Sequence, residues 1–380
     1  METSPQSVAL SAGRNPLPAI CDVSVTNVCN AACDFCGFAR DKNLAGPRRY
    51  IDLGGFTRAL PILRRRRIRY MTFQGGEPLV HPDIVALVQA AAQAEVACGL
   101  ITNGWFLPDY IEALVAAGLR RLLVSIDSHS MSKHDFNRGL VGLQRRIADG
   151  IARARTLGIP TSASVTVSRL VDYDALPETL ERLGFHAVTF SYPNREPFAS
   201  NSLVYSETSA LLDQQPGELL EALAAIRRMK KRFRVLNPSV SLDEIARSIR
   251  GEEQLIPCIA GHKYFYLDWN LDIWRCEAWT QPLGSVFDLE GFPDQRDACN
   301  ACRMACYRHA SALMHGAIAV TDTAQALVGG KLPSAIHSLF QRGVAHSLWA
   351  LSAEYYPRLA LASHRGRTGQ HYPATQSNQD

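Results

Sequence analysis

Three cysteines stand close together near the start of the chain, in "CNAACDFCGF" (29–38). Their spacing, Cys29-x3-Cys33-x2-Cys36, offers three soft, anionic ligands from one short segment. Thiolates in such a group hold zinc or an iron–sulfur cluster. A four-iron cluster has one coordination position on each iron, so three cysteines leave one iron able to bind a small molecule. A zinc knuckle is the alternative that these cysteines alone leave open.

A second group of cysteines lies late in the chain. Two of them flank the predicted hairpin in "PCIAGHKYFYLDWNLDIWRCEAW" (257–279), whose aromatic residues surround an Asn-containing turn. The other three follow a Cys-x2-Cys-x3-Cys spacing. Two separated groups in a chain without a secretory signal favour metal or iron–sulfur sites over disulfides. The late group comprises Cys258, Cys276, Cys299, Cys302 and Cys306.

The remaining cysteines, Cys21 and Cys98, stand in apolar runs and are expected in the core. The 380 residues are 47% hydrophobic and carry a net charge of +4, too mild to predict nucleic-acid binding. The basic runs 64–69 and 227–234 are typical of solvated helix ends. No apolar stretch reaches the roughly 18–20 residues that cross a bilayer, and the first residues lack a secretory pattern. We therefore expect a cytoplasmic protein.

Short β-rich runs alternate with helical patterns between residues 20 and 195, and the pattern over 135–158 predicts a single helix. The alternation predicts βαβ units, and about six of them make a partial (β/α)6 TIM barrel, short of the complete eight. The carboxyl ends of parallel strands form one mouth, where such proteins place their chemistry. The predicted strands are 21–26, 70–74, 98–102, 121–127, 161–167 and 187–193.

The motif "QGGEP" (74–78) ends the second predicted strand. Gly75 and Gly76 let the backbone approach a ligand closely, and Glu77 supplies a carboxylate for an ammonium group. Together with the cysteine spacing and Phe35 before the third cysteine, the motif resembles the signature of radical S-adenosylmethionine (SAM) enzymes. In that family the GGEP segment contacts the amino end of SAM. The resemblance also implies that Phe35 packs near the adenine.

The resemblance to the radical SAM superfamily implies a use for the open iron. In that family it chelates the amino and carboxylate groups of SAM, and an electron from the 4Fe–4S cluster cleaves the sulfonium. The resulting 5′-deoxyadenosyl radical abstracts hydrogen from the substrate or adds to it. The cofactor carries the chemistry and the protein positions it. The implied ligands of this cluster are Cys29, Cys33 and Cys36.

Polar residues also end the next predicted strands, where family members place groups near the ribose and carboxylate of SAM. From the residues alone, a strand-end turn or a helix cap explains each of them equally well. Ser164 is an alternative to Thr166 in the fifth strand. The further SAM contacts that the resemblance implies are Asn103, Ser125, Asp127, Arg138 and Thr166.

The late cysteines resemble the auxiliary-cluster extensions called SPASM and twitch domains. A full SPASM domain carries more cysteines and two clusters, so the match is closer to a twitch domain with one auxiliary 4Fe–4S cluster. The glycine that commonly precedes the second cysteine is absent, because Leu271 and Asp272 stand there. A four-cysteine zinc site remains open on spacing alone. The implied ligands are Cys258, Cys276, Cys299 and Cys302, with Cys306 as the alternative to Cys302.

The expected organisation has five parts. A core follows a short arm, and the cysteine-rich extension is followed by helices and a polar tail that we expect to be disordered. The parts are the arm (1–18), the radical SAM core (19–240), the auxiliary-cluster domain (241–310), the C-terminal helices (311–363) and the tail (364–380).

The expected function is radical modification of a small-molecule or lipid intermediate. The stretch 299–323 distantly resembles the C-terminal region of adenosylhopane synthases of hopanoid lipid biosynthesis, which favours a lipid and peripheral membrane contact. Three alternatives stand: a SPASM-type maturase of ribosomal peptides (RiPPs), a small-alcohol dehydrogenase resembling the aminocyclitol dehydrogenases, and a non-catalytic zinc-binding scaffold. The short segment before the first strand counts against the peptide maturase, because those enzymes often carry an N-terminal peptide-recognition domain.

The expected partners are the substrate and an electron donor such as flavodoxin or ferredoxin, with no nucleic acid. The sequence identifies no catalytic acid or base for the substrate. Glu277, Asp268 and Tyr192 are polar candidates near the expected mouth, and a structural role is the simpler explanation for each.

Overall fold

The computed structural model describes residues 14–40, 46–193 and 209–355. One nine-stranded sheet runs through them in the order β6-β5-β4-β3-β2-β1-β7-β8-β9. Neighbours from β6 to β7 pair in parallel, and β8 and β9 continue antiparallel. The strands are β1 (Ala19–Ser24), β2 (Ile68–Gln74), β3 (Ala97–Thr102), β4 (Leu119–Ser125), β5 (Thr161–Thr166), β6 (Ala187–Ser191), β7 (Tyr264–Leu267), β8 (Asp272–Trp274) and β9 (Gly284–Ser285).

Helices connect the parallel strands and continue after them. Short 3-10 helices cover Pro78–Val80 and Val286–Gly291, and a π-helical turn covers Leu351–Tyr355. The α-helices are α1 (Leu53–Arg65), α2 (Ile84–Gln93), α3 (Leu107–Ala116), α4 (Met131–Arg138), α5 (Leu143–Thr156), α6 (Leu176–Leu183), α7 (Pro216–Met229), α8 (Ser239–Ile249), α9 (Ala305–Val328), α10 (Leu332–Leu339) and α11 (Val344–Ala350).

The sheet is an open barrel built from six successive β/α units, with β6 and β9 as its edges among the described residues. This confirms the predicted partial barrel. The strands that were expected from β-rich runs form because those runs are buried against helices on one face and face the barrel interior with the other. Because β1 to β6 are parallel, their carboxyl ends lie at the same end of the barrel and form its mouth.

The segment that was predicted as one helix over 135–158 is instead two helices. α4 ends at Gly139, which has a φ of 60°, and α5 begins after Gly142, with a φ of 85°. Both lie in the left-handed region, which glycine enters without steric cost. The break points α4 back toward the first cysteines, since Ala32 N donates to Arg138 O at 2.9 Å.

The late hairpin extends the barrel sheet. β7 pairs in parallel with β1, and β8 folds back on it through a turn in which Asp268 accepts from the N–H groups of Asn270 and Asp272. Leu271 takes a φ of 65°, a conformation that favours glycine. Its side chain lies where a Cβ on Gly55 of α1 would stand, so the glycine on the helix makes room for it.

The main hydrophobic core lies between the sheet and helices α1 to α8, and Cys21 and Cys98 are fully buried in it, as expected. A smaller core packs around the late cysteines and includes Tyr264 and Tyr307. Within the described part of the chain, no helix has both the length and the apolar character to cross a membrane. The expected tail (364–380) and most of the arm lie outside the described residues, and the domain boundaries remain predictions.

Candidate functional site

The first three cysteines lie in the segment that leaves β1, here called the cysteine loop (residues 25–40). Cys33 is buried, and Cys29 and Cys36 are half-buried. Burial raises the pKa of the Cys29 thiol, and Glu77, Cys36 and Cys33 raise it further. Burial likewise raises the pKa of Cys33 to about 12, with Cys36 among the contributors. These mutual effects show that the three thiols converge.

The GGEP turn braces this loop. Gly76 N donates to Thr26 O and Glu77 N donates to Val28 O, each at 2.8 Å. Gly75 has a φ of +135°, and a Cβ on either glycine would overlap a carbonyl oxygen of the cysteine loop. The sequence explained these glycines by close approach to a ligand. The structure shows a close approach to the backbone of the cysteine loop.

Glu77 ties the ends of β2 and β3 together. Its buried carboxylate accepts from Leu79 N at 3.1 Å, Thr102 Oγ1 at 2.6 Å and Asn103 N at 2.7 Å. Burial raises the pKa of Glu77, and these hydrogen bonds partly offset that effect. Asn103 Nδ2 in turn donates to Asn30 Oδ1 at 2.7 Å, which links β3 to the cysteine loop. Contact of Glu77 or Asn103 with SAM stays a prediction.

Asp127 and Arg138 form a buried pair beside the cysteine loop. Arg138 NH2 donates to Asp127 Oδ1 at 2.6 Å and Arg138 Nε to Oδ2 at 2.9 Å, while Asn137 Nδ2 adds a third bond. Burial would raise the pKa of Asp127, but Arg138 and His134 hold it well below its usual range. The guanidinium also lowers the pKa of Cys33. The predicted contact of Arg138 with the SAM carboxylate is not tested by this arrangement.

The other predicted SAM contacts occupy the expected strand ends. Ser125 of β4 lies opposite Ser164 of β5, and Thr166 Oγ1 is 3.3 Å from Ser191 Oγ of β6. Phe35 is buried within the cysteine loop. They lie on successive strand ends and on the loop, and their roles stay predictions.

Four of the late cysteines also converge, and they are here called the auxiliary thiols (Cys258, Cys276, Cys299 and Cys302). Cys258 N donates to Cys299 O at 2.9 Å. Burial raises the pKa of Cys276, and Cys302 and Cys258 contribute to the rise. Burial raises the pKa of Cys302 to about 11, with Cys258 and Cys299 among the contributors. The hairpin and the segment after β9 therefore deliver four thiols to one place.

Cys306 faces a different neighbourhood. Burial is the largest cause of the raised pKa of Cys306. Glu277 and Asp22 raise this pKa further, and Cys302 contributes least. Cys306 packs in the same small core as Cys258, Cys276 and Cys302, but the acidic side chains of the barrel interior raise its pKa more than these thiols do. The structure favours the set that contains Cys302, although the ligand assignment remains a prediction.

The spacing of the thiols bears on which metal group fits. Among residues 14–40, 46–193 and 209–355, no three His, Cys, Asp or Glu side chains are arranged to hold a single metal ion. A tetrahedral zinc site holds all its sulfurs about 2.3 Å from one ion, whereas a four-iron cluster binds each thiolate to a different iron and needs them farther apart. The thiolates of both cysteine groups suit an iron–sulfur cluster, and the three of the cysteine loop would leave one iron open.

Two buried polar atoms at this mouth have no hydrogen-bond partner within the described ranges, namely Asn30 Nδ2 and Ser24 Oγ. Asn30 lies between two of the cluster cysteines, and Ser24 is the last residue of β1. Buried polar atoms of this kind are normally paired. Their position fits a site that takes a polar cofactor or substrate.

Sequence reasoning missed a second polar group inside the barrel. Tyr264 Oη donates to Asp22 Oδ2 at 2.8 Å, and Gln74 Nε2 donates to Glu277 Oε1. Glu277, noted only as one polar candidate, is fully buried there. A charged Asp22 within the apolar strand "CDVSVT" was the available signal.

The other two polar candidates have structural roles. Asp268 caps the hairpin turn and accepts from Trp274 Nε1 at 2.9 Å. Tyr192 is buried, and Asn237 Nδ2 donates to its hydroxyl at 2.9 Å.

Comparison with known proteins agrees with this geometry. The profile of the Radical SAM superfamily matches residues 23–183. An AdoMet-dependent heme synthase of Methanosarcina barkeri is 38% identical over 100 residues, 26% of this chain and 29% of that protein. A GTP 3′,8-cyclase of Chlorobaculum tepidum is 26% identical over 191 residues, 48% of this chain and 54% of that protein. The chain thus spans about a third to a half of these two relatives.

A solved structure shares the fold. Streptococcus suis SuiB bound to its precursor peptide SuiA superposes with a TM-score of 0.57 at 13% identity, over 78% of this chain and 70% of that one. The match covers more of the chain than the family profile does, so the likeness of fold extends past the first six β/α units. Residues 23–183 therefore match the radical SAM superfamily, whose cofactors are a 4Fe–4S cluster and SAM.

Proposed function

We propose that the chain is a radical SAM enzyme that cleaves SAM reductively at a cluster held by Cys29, Cys33 and Cys36 and modifies a small-molecule or lipid biosynthetic intermediate. The observation that carries this proposal is the convergence of the three thiols at the end of β1, braced by the GGEP turn. When bound, the reduced cluster supplies the electron that splits SAM into methionine and a 5′-deoxyadenosyl radical.

The protein's own part in this proposal is to bind and orient. The GGEP turn fixes the cysteine loop, and Glu77 with Asn103 positions the ends of β2 and β3 against it. The Asp127–Arg138 pair holds α4 against the same loop and places a positive charge beside the thiols, which favours thiolate over thiol. Ser125, Thr166 and Phe35 are proposed to complete the SAM pocket.

We assign a second 4Fe–4S cluster to the auxiliary thiols. Arg275 supports that site: it is almost fully buried and bridges to Asp297 through two N–H donors. If all four thiols are ligands, no iron is left open for substrate, and electron transfer is the role that fits. We also propose a cytoplasmic location and an electron donor of the flavodoxin or ferredoxin type.

The relatives favour a small molecule over a peptide. Two curated relatives are named as a heme synthase and a GTP 3′,8-cyclase, whose names refer to small molecules. A peptide is the alternative, because SuiB with its bound precursor peptide shares the fold. A small-alcohol dehydrogenase fits the same two cysteine groups. A zinc-binding scaffold is the least favoured, because residues 23–183 match the Radical SAM superfamily profile.

One observation favours a lipid substrate at a membrane surface. The end of α9 and helix α10 expose apolar side chains, including Val328 at 92% and Phe340 at 80%, and Leu332 and Ile336 share one stripe of α10. No Asp or Glu occurs between Asp322 and Glu354. Cosedimentation with phosphatidylglycerol vesicles checks this, and Phe340→Ser should then reduce binding severalfold. Equal sedimentation of wild type and variant would leave the soluble intermediate as the substrate class.

The deciding experiment is anaerobic reconstitution followed by addition of SAM and dithionite. We expect about eight irons per chain, as two four-iron clusters require, together with 5′-deoxyadenosine formation. Zinc in place of iron, or no 5′-deoxyadenosine from a fully loaded protein, would refute the proposal.

A further inference from the structure

The inner face of the first two strands is polar. Val23 packs in the main core on the helix side, so the alternation of the strand turns Asp22 and Ser24 to the barrel interior. The register of β1 with β2 places Thr72 opposite Asp22 and Gln74 opposite Ser24. Four polar side chains therefore line adjacent positions at the carboxyl half of these strands, directly below the cysteine loop.

Asp22 is buried without a cation. It accepts from Tyr264 Oη at 2.8 Å and from Thr72, and within the described ranges no Lys or Arg forms an ion pair with it. Burial raises the pKa of Asp22 to about 6, with Tyr264, Thr72 and the charge of Arg121 opposing the rise. The rise in pKa reflects the cost of ionising this carboxyl in the barrel interior, near the buried Glu277. A buried charge of this kind is costly unless a cation or further donors compensate it.

Ser24 supplies an independent observation. Its side chain is fully buried, and Oγ has no hydrogen-bond partner in the part of the chain that the structure describes. It points from the same strand face as Asp22 and lies beside Gln74. A hydroxyl left without a partner, on the same strand face as a buried carboxyl that lacks a cation, indicates that a polar ligand group completes both.

Gln74 and Glu277 contact each other beside Ser24 in the barrel interior. Gln74 immediately precedes the GGEP turn, and Glu277 immediately follows Cys276, so the two residues come from the two cysteine-bearing halves of the molecule. Gln74 Nε2 donates to Glu277 Oε1, which leaves the Gln74 amide oxygen as an acceptor. The Asp22 carboxyl, Ser24 Oγ and the Gln74 amide oxygen therefore offer acceptors on one face of the barrel interior, between the segments that carry the two proposed cluster sites.

We propose that Asp22, Ser24 and Gln74 form a substrate subsite that takes a protonated primary amine next to a hydroxyl group. The ammonium donates to Asp22 and Ser24, and the hydroxyl donates to the Gln74 amide oxygen. The inference rests on the proposed function, because it takes the barrel interior beside the cysteine loop as the substrate chamber. It narrows the substrate class to amino alcohols, either free or as the headgroup of a lipid.

The test is a binding measurement on the reconstituted holoenzyme saturated with SAM. Glucosamine is titrated by calorimetry and compared with glucose, which has the same hydroxyl scaffold without the amine, at matched ionic strength. We expect glucosamine to bind at least about tenfold more tightly than glucose. Asp22→Asn and Ser24→Ala should each weaken glucosamine binding by about tenfold or more.

Ser241→Ala is the matched control. Ser241 is as buried as Ser24, and its Oγ also lacks a partner among the described residues, but it lies on α8. This variant should bind glucosamine as the wild type does. If Asp22→Asn does not fold, the comparison of glucosamine binding by Ser24→Ala and by Ser241→Ala decides the question. Equal binding of glucosamine and glucose, no binding of any primary amine tested, or wild-type binding by Ser24→Ala would overturn the proposal.

Two further comparisons distinguish a lipid amine from a free amine, and a failure of this inference from a failure of the proposed function. Dihexanoyl phosphatidylethanolamine is compared with dihexanoyl phosphatidylcholine, whose quaternary ammonium has no N–H donor. Because the hydroxyl of ethanolamine is esterified in these lipids, this pair tests the ammonium part of the subsite alone. A short-chain sphingosine, which carries a primary amine next to a free hydroxyl, tests the whole subsite: tighter binding of sphingosine than of glucosamine assigns a lipid, and the reverse assigns a free amino alcohol. A wild type that forms 5′-deoxyadenosine but binds no amine refutes this inference alone. A loaded wild type that forms none refutes the proposed function.

Discussion

The cysteine loop and the auxiliary thiols differ in how the chain assembles them and in how many ligands result. The cysteine loop supplies three thiols from one short segment after β1, and its shape is held by backbone bonds to the GGEP turn. The auxiliary thiols come from both flanks of a hairpin and from a later segment, so only tertiary structure brings them together. Three ligands leave one iron open, and four close the cluster.

This difference separates the roles of the two sites. Around the cysteine loop, buried polar atoms such as Asn30 Nδ2 and Ser24 Oγ remain without partners in the described residues. Around the auxiliary thiols, Arg308 Nε and Gln254 Oε1 also lack partners in the described residues, while Arg275 is bound to Asp297. The number of ligands therefore carries the distinction: an open iron suits ligand binding, and a closed cluster suits electron transfer.

The largest expected effect comes from removing the cysteine loop ligands. Replacing Cys29, Cys33 and Cys36 with alanine should abolish detectable 5′-deoxyadenosine formation and remove about four irons per chain. The auxiliary thiols should retain about four irons, because they share no ligand with the loop. Iron and sulfide analysis with a 5′-deoxyadenosine assay measures both. Loss of all iron would show that the two groups are not separate sites.

A second pair of variants tests which late cysteine is a ligand. Cys302→Ala should lose about four irons, because its thiol lies with Cys258 and Cys276. Cys306→Ala should keep them, because its thiol faces Glu277 and Asp22. Visible absorption and iron content distinguish the two variants. If Cys306→Ala lost the irons and Cys302→Ala kept them, Cys306 would be the ligand in place of Cys302.

The buried pair beside the cysteine loop should contribute strongly to stability. Asp127→Asn leaves the Arg138 charge buried with only part of its hydrogen bonding, and we expect a loss of about 3–5 kcal/mol in the free energy of unfolding. The exposed pair of Asp109 with Arg146 is the control, and Asp109→Asn should cost about 1 kcal/mol or less. Denaturant titration measures both. Equal losses would contradict the contrast between buried and exposed pairs.

The same pair predicts a pH dependence. The pKa of Asp127 is lowered in the folded state, so its stabilisation is present above the unfolded pKa of about 3.9 and is lost as pH falls below it toward the folded value. Wild-type stability should therefore fall more steeply below about pH 4 than that of Asp127→Asn. If the free energies of unfolding of the two proteins fell equally with pH, Arg138 would not be holding this carboxyl charged.

The smallest expected effect concerns the GGEP turn. A Cβ on Gly76 would overlap the carbonyl oxygen of Val28, so Gly76→Ala should cost about 1–3 kcal/mol and lower the rate of SAM cleavage by displacing the cysteine loop. Gly217 in the first turn of α7 has open space around its Cβ position, and Gly217→Ala should leave stability unchanged or slightly higher. A Gly76→Ala protein with unchanged stability would indicate that the turn can shift away freely.

Sequence reasoning succeeded where the signal is local. The strands β1 to β6 follow from short β-rich runs, and the cysteine loop and GGEP turn follow from residues adjacent in the chain. The helix predicted over 135–158 failed because periodicity does not record the backbone conformation of Gly139 and Gly142, which end one helix and start another.

The interior subsite was not predictable in the same way. Asp22 and Glu277 are far apart in sequence, and only the parallel pairing of β7 with β1 brings the auxiliary segment to the barrel. Sequence reasoning therefore noted Glu277 but did not connect it with Gln74, and it passed over Asp22. The positive φ of Leu271 was likewise not predictable from the sequence. Gly55 makes room for the Leu271 side chain, and this depends on the packing of α1 against the hairpin.

The central claim is that SAM binds at the iron left open by the three cysteines of the loop. The most direct measurement is electron-nuclear double resonance on the reduced protein with SAM labelled with ¹⁵N in its amino group, in a variant with the auxiliary thiols replaced by alanine so that one cluster remains. The account predicts a ¹⁵N coupling to that cluster. A reduced four-iron signal without any ¹⁵N coupling would contradict it.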